Sequence, residues 1–109
     1  MSTLMQVQGD FLRFILNADE KQARLILKDL TKQQVDLVGE IIKNILIQPH
    51  AGKASKYLAR KYYLRDISDR KKSAKFRKSL VTKHRKILWT ILQMFKGNLT
   101  STLDDIQHV

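Results

Sequence analysis

The amino-acid sequence predicts an all-α fold, a compact bundle of four to five helices that ends in a long basic amphipathic helix. Three observations lead there. The 109 residues contain only 4 Gly and 1 Pro, too few for the hairpin turns of an all-β fold. Apolar residues return every three or four positions, the period of a helix face. Side chains of the capping kind stand just before several of these apolar runs.

Taken in order, Leu4, Val7, Phe11, Phe14 and Ile15 share helical spacing and predict a first helix over 3–16 or 10–16, with Gly9 obscuring its start. Asp19 followed by Gln22 fits a capping-box variant, in which each side chain accepts from the other residue's backbone N–H. The stripe Ala23, Ile26, Leu27, Leu30 carries that second helix to residue 30. Thr31 with Gln34 repeats the start signal, and Val35, Val38, Ile42, Ile45 and Leu46 mark a third helix that stops before Pro49. The corner between them is tight and resembles a helix-turn-helix. Residues 48–53 form the clearest loop. Ser55 opens a fourth helix through Arg65, with Leu58 and Tyr62 on its inner face. From 69 to 96 runs the longest periodic stretch, in which Leu80, His84, Ile87, Ile91 and Met94 alternate at spacings of four and three. Gly97 stands at the favoured C-cap position. This divides the chain into a helical domain over 1–97 and a short polar tail over 98–109.

A chain of 12.7 kDa has room for one ordinary core. The 43% hydrophobic content separates it from a disordered basic tail. With 0 Cys, disulfide scaffolds, cysteine-ligated zinc and thiol nucleophiles are excluded. Charge interrupts every apolar run well short of the roughly 20 residues of a membrane span. Residues 1–10 do not read as a secretory signal.

The net charge of +11 is unevenly distributed. Residues 1–48 hold six basic and six acidic groups and are neutral. The segment 53–96 holds fifteen basic groups against Asp66 and Asp69, a net +13. A neutral packing half and a polyanion-facing half are expected from this segregation, because a bound polyanion relieves the repulsion of crowded like charges.

Catalysis has little to work with. His50, His84 and His108 share no ligand spacing, and neither a phosphate-binding glycine loop nor a nucleophile elbow occurs. No enzyme, metal site or cofactor is expected. The basic constellation is the strong signal. Lys53 just before the fourth helix and Lys56, Arg60, Lys61 and Arg65 along it form one basic strip, and Arg70, Lys71, Lys72, Lys75, Arg77, Lys78, Lys83, Arg85 and Lys86 line the long one. Such an array suits phosphates, where released counterions supply the affinity. Tyr57 and Tyr63 are candidates for stacking on bases, while Tyr62 reads as core. The residues Lys32, Gln33 and Gln34 could enter a groove, but Asp29, Asp36 and Glu40 beside them disfavour phosphate, so sequence-independent binding is expected. Ser73 and Ser79, set among cations, are natural phosphorylation sites, and the run 70–78 also reads as a nuclear-import patch.

The two-helix block of Lys21-Gln22-Ala23-Arg24 with 25–30, then Gln34-Val35 to Glu40-Ile41 and Lys43-Asn44-Ile45-Leu46, precedes a Lys/Arg-rich segment over 56–86. This order resembles small basic, core-protein-like proteins of adintovirus and Polinton-type elements over residues 11–90. The resemblance implies a DNA-condensing protein of a virion or mobile element. The expected function is therefore non-catalytic nucleic-acid binding, to duplex DNA ahead of RNA, inside the cell in a nucleus or virion. The alternative is a protein-interaction module that docks its basic face on an acidic partner. Homo-oligomers through apolar helix faces fit the pattern. A membrane partner fits it poorly, since Trp89 and Phe95 continue the apolar face.

Overall fold

Local signals decide where the helices begin. The computed structural model describes residues 3–47, 58 and 61–107, and among them eight α-helices and no strand. They are α1 (Thr3–Val7), α2 (Gly9–Asn17), α3 (Glu20–Ile26), α4 (Lys32–Ile47), α5 (Tyr62–Ser68), α6 (Ala74–Lys83), α7 (Arg85–Met94) and α8 (Lys96–Gln107). At the start of α3, Gln22 N donates to Asp19 Oδ1 at 2.8 Å and Asp19 N donates to Gln22 Oε1 at 3.3 Å, closing the expected capping box. Ahead of α4 the same exchange joins Thr31 and Gln34, at 3.2 and 2.9 Å. Ser73 accepts from Phe76 N at 3.1 Å and caps α6.

The core is built around α4. Val35, Asp36, Leu37, Val38 and Gly39 are buried in succession, so at this level the helix is enclosed on every side. Its most extensive contact is with α5, and α6 and α1 also pack on it. Gly39 makes the α4–α5 approach close: a Cβ there would lie 2.7 Å from the Ile67 carbonyl oxygen. α3 packs on α7, and α8 touches α1, α2 and α7. Leu12, Ile15, Leu16, Leu64, Ile67, Leu88, Ile91 and Leu103 complete one continuous core. The Cα radius of gyration, 13.0 Å, is that of a tightly folded chain of this length.

Three expectations about the helices are corrected. The count is eight among the described residues, not four or five, because predicted long helices are broken. Gln8, at φ −104° and ψ 20°, divides the first. His84, at φ −113° and ψ 31°, and Phe95, at φ −109° and ψ 12°, divide the long basic one. Each later break residue stays bonded to both flanking helices: His84 N donates to Leu80 O and its carbonyl accepts from Leu88 N, and Phe95 N donates to Ile91 O and its carbonyl accepts from Leu99 N. The chain bends there rather than stopping, which lets α6 lie on α4 and α5 while α7 lies on α3. The segment expected as a polar tail is mostly α8, held down by Leu103, which is 0% exposed. An ion pair of 2.6 Å between Arg13 and Asp104 ties it to α2. Gly97 is inside that helix rather than at a C-cap. Of the predicted 55–65 helix, 55–57, 59 and 60 lie outside the described residues, as does the whole 48–53 loop, and α5 begins only at Tyr62.

Candidate nucleic-acid interface

The sequence placed fourteen cations on one binding face, and the structure sorts those it describes by depth. Lys53, Lys56 and Arg60, together with Tyr57, lie outside the described residues. Arg65 is exposed on α5. Arg70, Lys71 and Lys72 are exposed in the turn between α5 and α6, whose backbone is fixed by Asp69: its side chain accepts from Lys71 N at 2.9 Å and its carbonyl from Lys72 N at 3.0 Å. Lys75, Lys83 and Lys86 are exposed along α6 and α7, while Lys61, Lys78 and Arg85 are half-buried. Among the described residues no carboxylate forms an ion pair with Lys71, Lys72, Lys75, Lys83 or Lys86. Their charges face solvent.

Arg77 does not belong to that face. It is 3% exposed, and its Nη2 donates to Asp36 Oδ1 at 2.7 Å. Its Nε donates to the Lys72 carbonyl at 3.3 Å. Arg70 donates to the other Asp36 oxygen at 3.1 Å from the surface side. The reason is helical register: Arg77 stands four residues before the buried Val81, on the inward face of α6. A buried carboxylate requires a partner, so Asp36 fixes Arg77 where the apolar pattern alone would have put a hydrophobic residue. Arg77 Nη1 is also buried, with no hydrogen-bond partner among the described residues.

The tyrosines exchange roles. Tyr62 is 75% exposed, not core. Tyr63, expected to stack on bases, packs against the core, and its ring stacks on His84 with centroids 3.6 Å apart and planes 4° from parallel. One face of Tyr63 is thereby occupied from within the chain. Partial burial, then the charges of Lys83 and Lys61, hold the His84 imidazole below the ordinary histidine range.

A second seam was not foreseen. Along α6 and α7, successive side chains reach backwards along the 16–29 segment. Lys78 Nζ donates to Asp29 Oδ1 at 2.9 Å, and Thr82 Oγ1 to the Lys28 carbonyl at 3.5 Å. Arg85 Nη1 donates to the Arg24 carbonyl at 3.2 Å, Trp89 Nε1 to the Ala18 carbonyl at 3.4 Å, and Gln93 Nε2 to the Leu16 carbonyl at 3.0 Å. Arg85, Trp89 and Gln93 are one turn apart on a single face of α7. They satisfy carbonyls at the C-terminal ends of α3 and α2, which have no partner within their own helices. Arg85 and Lys86 occupy the first turn of α7, where the helix dipole opposes cations; the α3 carbonyl compensates Arg85. Lys78 lowers the Asp29 pKa through its hydrogen bond and charge, yet this pair is solvent-exposed and contributes little to stability.

Ser73 and Ser79 are both exposed, but each hydroxyl is engaged, Ser73 as the α6 cap and Ser79 as a donor to the Phe76 carbonyl at 2.6 Å. Phe76 itself is an exposed aromatic among these cations, missed because it was read only as part of a charged run. Among the described residues no group of three or more His, Asp or Glu side chains is placed to hold a metal ion, and no helix is long and apolar enough to cross a membrane. Compared with known families, curated proteins and solved structures, the chain matches none.

Proposed function

We propose that this protein binds nucleic acid without catalysis, through phosphate contacts that do not depend on sequence. The carrying observation is the set of exposed lysines Lys71, Lys72, Lys75, Lys83 and Lys86, none paired with a carboxylate among the described residues. Arg65 and Arg70 border the same turn. Each cation that meets a phosphate releases condensed counterions, and that release drives association. α6 and α7 fix the backbones of Lys75, Lys83 and Lys86, and the Asp69 bonds fix the turn that carries Lys71 and Lys72, so little of the backbone must be ordered on binding. Duplex DNA is the preferred ligand because a phosphate array on a rigid rod matches cations carried by α6, α7 and the bonded turn ahead of them. The resemblance to core-protein-like proteins extends this reading to DNA condensation in a virion or nucleus.

Electrophoretic shifts with random duplex and with single strands, across several salt concentrations, test the proposal. A shift that weakens steeply with salt and is indifferent to sequence supports it. A shift that is absent, or insensitive to salt, overturns it and favours the alternative, a module that docks on an acidic protein.

A further inference from the structure

The groove between α3 and α7 is lined by Glu20, Lys21, Arg24 and Leu25 on one wall and by Arg85 and Lys86 on the other. The four α3 positions fall at i, i+1, i+4 and i+5, one face of the helix. The opposite face holds Ala23, which is fully buried. Lys21 and Arg24 are exposed, and Arg85 is anchored by its bond to the Arg24 carbonyl. Four cations and one carboxylate therefore border a single open groove. Two of those cations come from the half of the chain that is neutral by sequence.

We propose that this groove is a second phosphate-backbone site, which makes the nucleic-acid surface composite across both halves; the inference rests on the function proposed above. The seam that runs past the groove supports it. The exposed Lys28 adjoins Thr82, so cations from the 21–28 segment and from 83–86 flank one line. From Lys78 to Lys86 the rise summed along α6 and α7, which bend at His84, is about 12 Å. Duplex DNA carries about seven phosphate charges over that length. An acidic helix is the poorer occupant. Docking such a helix needs an apolar stripe, and Leu25, 64% exposed, is the one large apolar side chain lining the groove.

The test is a titration of the full chain with a random-sequence duplex at several salt concentrations. It compares wild type with the double variant Lys21→Gln and Arg24→Gln, which keeps helix-forming side chains on α3. Loss of two phosphate contacts lowers the slope of log affinity against log salt by about 1.8. The affinity deficit of the variant then shrinks roughly tenfold between about 50 and about 200 mM salt. A matched pair of single variants controls for net charge. Glu20→Gln, in the groove, is expected to tighten binding about two- to fivefold, the scale of one exposed charge interaction. Asp105→Asn, exposed on α8 outside the groove, leaves binding unchanged.

If wild type binds and the double variant keeps its slope, or if Glu20→Gln and Asp105→Asn behave alike, the groove proposal is overturned and the broader function stands. If wild type binds no duplex or single strand, both fall. Binding of poly-glutamate that depends on Lys21 and Arg24, without duplex binding, overturns both in favour of an acidic protein partner.

Discussion

Two seams join the N-terminal helices to the basic segment, and they use cations in opposite ways. Where α4 meets α5 and α6, the contact is close enough for Gly39 to lie against the Ile67 carbonyl, and the one fully buried arginine there is committed to Asp36. Where α3 meets α7, Ala23 and Leu27 are buried beneath, but Lys21, Arg24 and Lys86 stand open to solvent. Arg77 and Lys75 are two residues apart in one helix, yet only Lys75 is available to a ligand. Depth, not residue type, separates a structural cation from one open to a ligand. Counting charges along the chain merges the two.

The largest expected effect breaks the first seam. Asp36→Ala leaves Arg77 charged and buried without its partner, and urea unfolding should show a loss of about 3–5 kcal/mol. The double change Asp36→Leu with Arg77→Met should recover most of that loss, since apolar pairs often replace buried ion pairs without penalty. The double variant should also bind duplex at least as tightly as wild type, because Arg77 contributes no charge to the surface and the exposed Arg70 loses its carboxylate partner. A weakened duplex affinity in a folded double variant would contradict the sorting by depth.

Gly39→Ala probes the same seam through shape. The added methyl meets backbone rather than a flexible side chain, so overpacking of about 1–3 kcal/mol should exceed the roughly 1 kcal/mol gained in helix propensity. Net destabilisation in a thermal melt is the expected outcome. Asp19→Ala, which opens the α3 capping box beside the second seam, should cost about 1 kcal/mol. Lys71→Gln with Lys75→Gln should sit at the other extreme. Its stability should stay within about 0.5 kcal/mol of wild type, while the salt slope of duplex binding falls by about 1.8.

Protonation offers a finer probe of the bend between α6 and α7. The folded-state pKa of His84 lies below its ordinary value of 6.5. Its neutral form is therefore favoured by folding, and that contribution is complete above the unfolded pKa. It is lost as pH falls through the lowered folded value. Stability followed from pH 7 towards acid should drop less in His84→Gln than in wild type; equal slopes would remove His84 as the cause.

What was legible in the sequence was local. Asp19 with Gln22, and Thr31 with Gln34, interact across three residues, so their spacing carries the whole signal. The start of α4 and the helical class follow from the same short range. The breaks at His84 and Phe95 were not legible, because the apolar period continues through both while tertiary packing bends the chain. Arg77 carried a signal that was passed over: it shares the register of Val81, and Asp36 sits between Val35 and Leu37 in a stretch with little solvent. Tyr62 and Tyr63 were exchanged because the inner face was phased on Leu58 and Tyr62 rather than on Leu64 and Ile67. The groove joins residues about sixty positions apart, and no pattern within either half predicts it.

The most direct measurement is the affinity of wild type for two duplexes of unrelated sequence, followed by fluorescence anisotropy as salt rises. Six exposed cations with no ion pair among the described residues, Arg65, Lys71, Lys72, Lys75, Lys83 and Lys86, lie on the surface expected from the sequence. If each meets a phosphate, log affinity falls linearly with log salt with a slope of about −5 from this surface alone, or about −7 with Lys21 and Arg24 of the groove, the same for both duplexes. A flat salt dependence, or a strong preference for one duplex, would contradict the account.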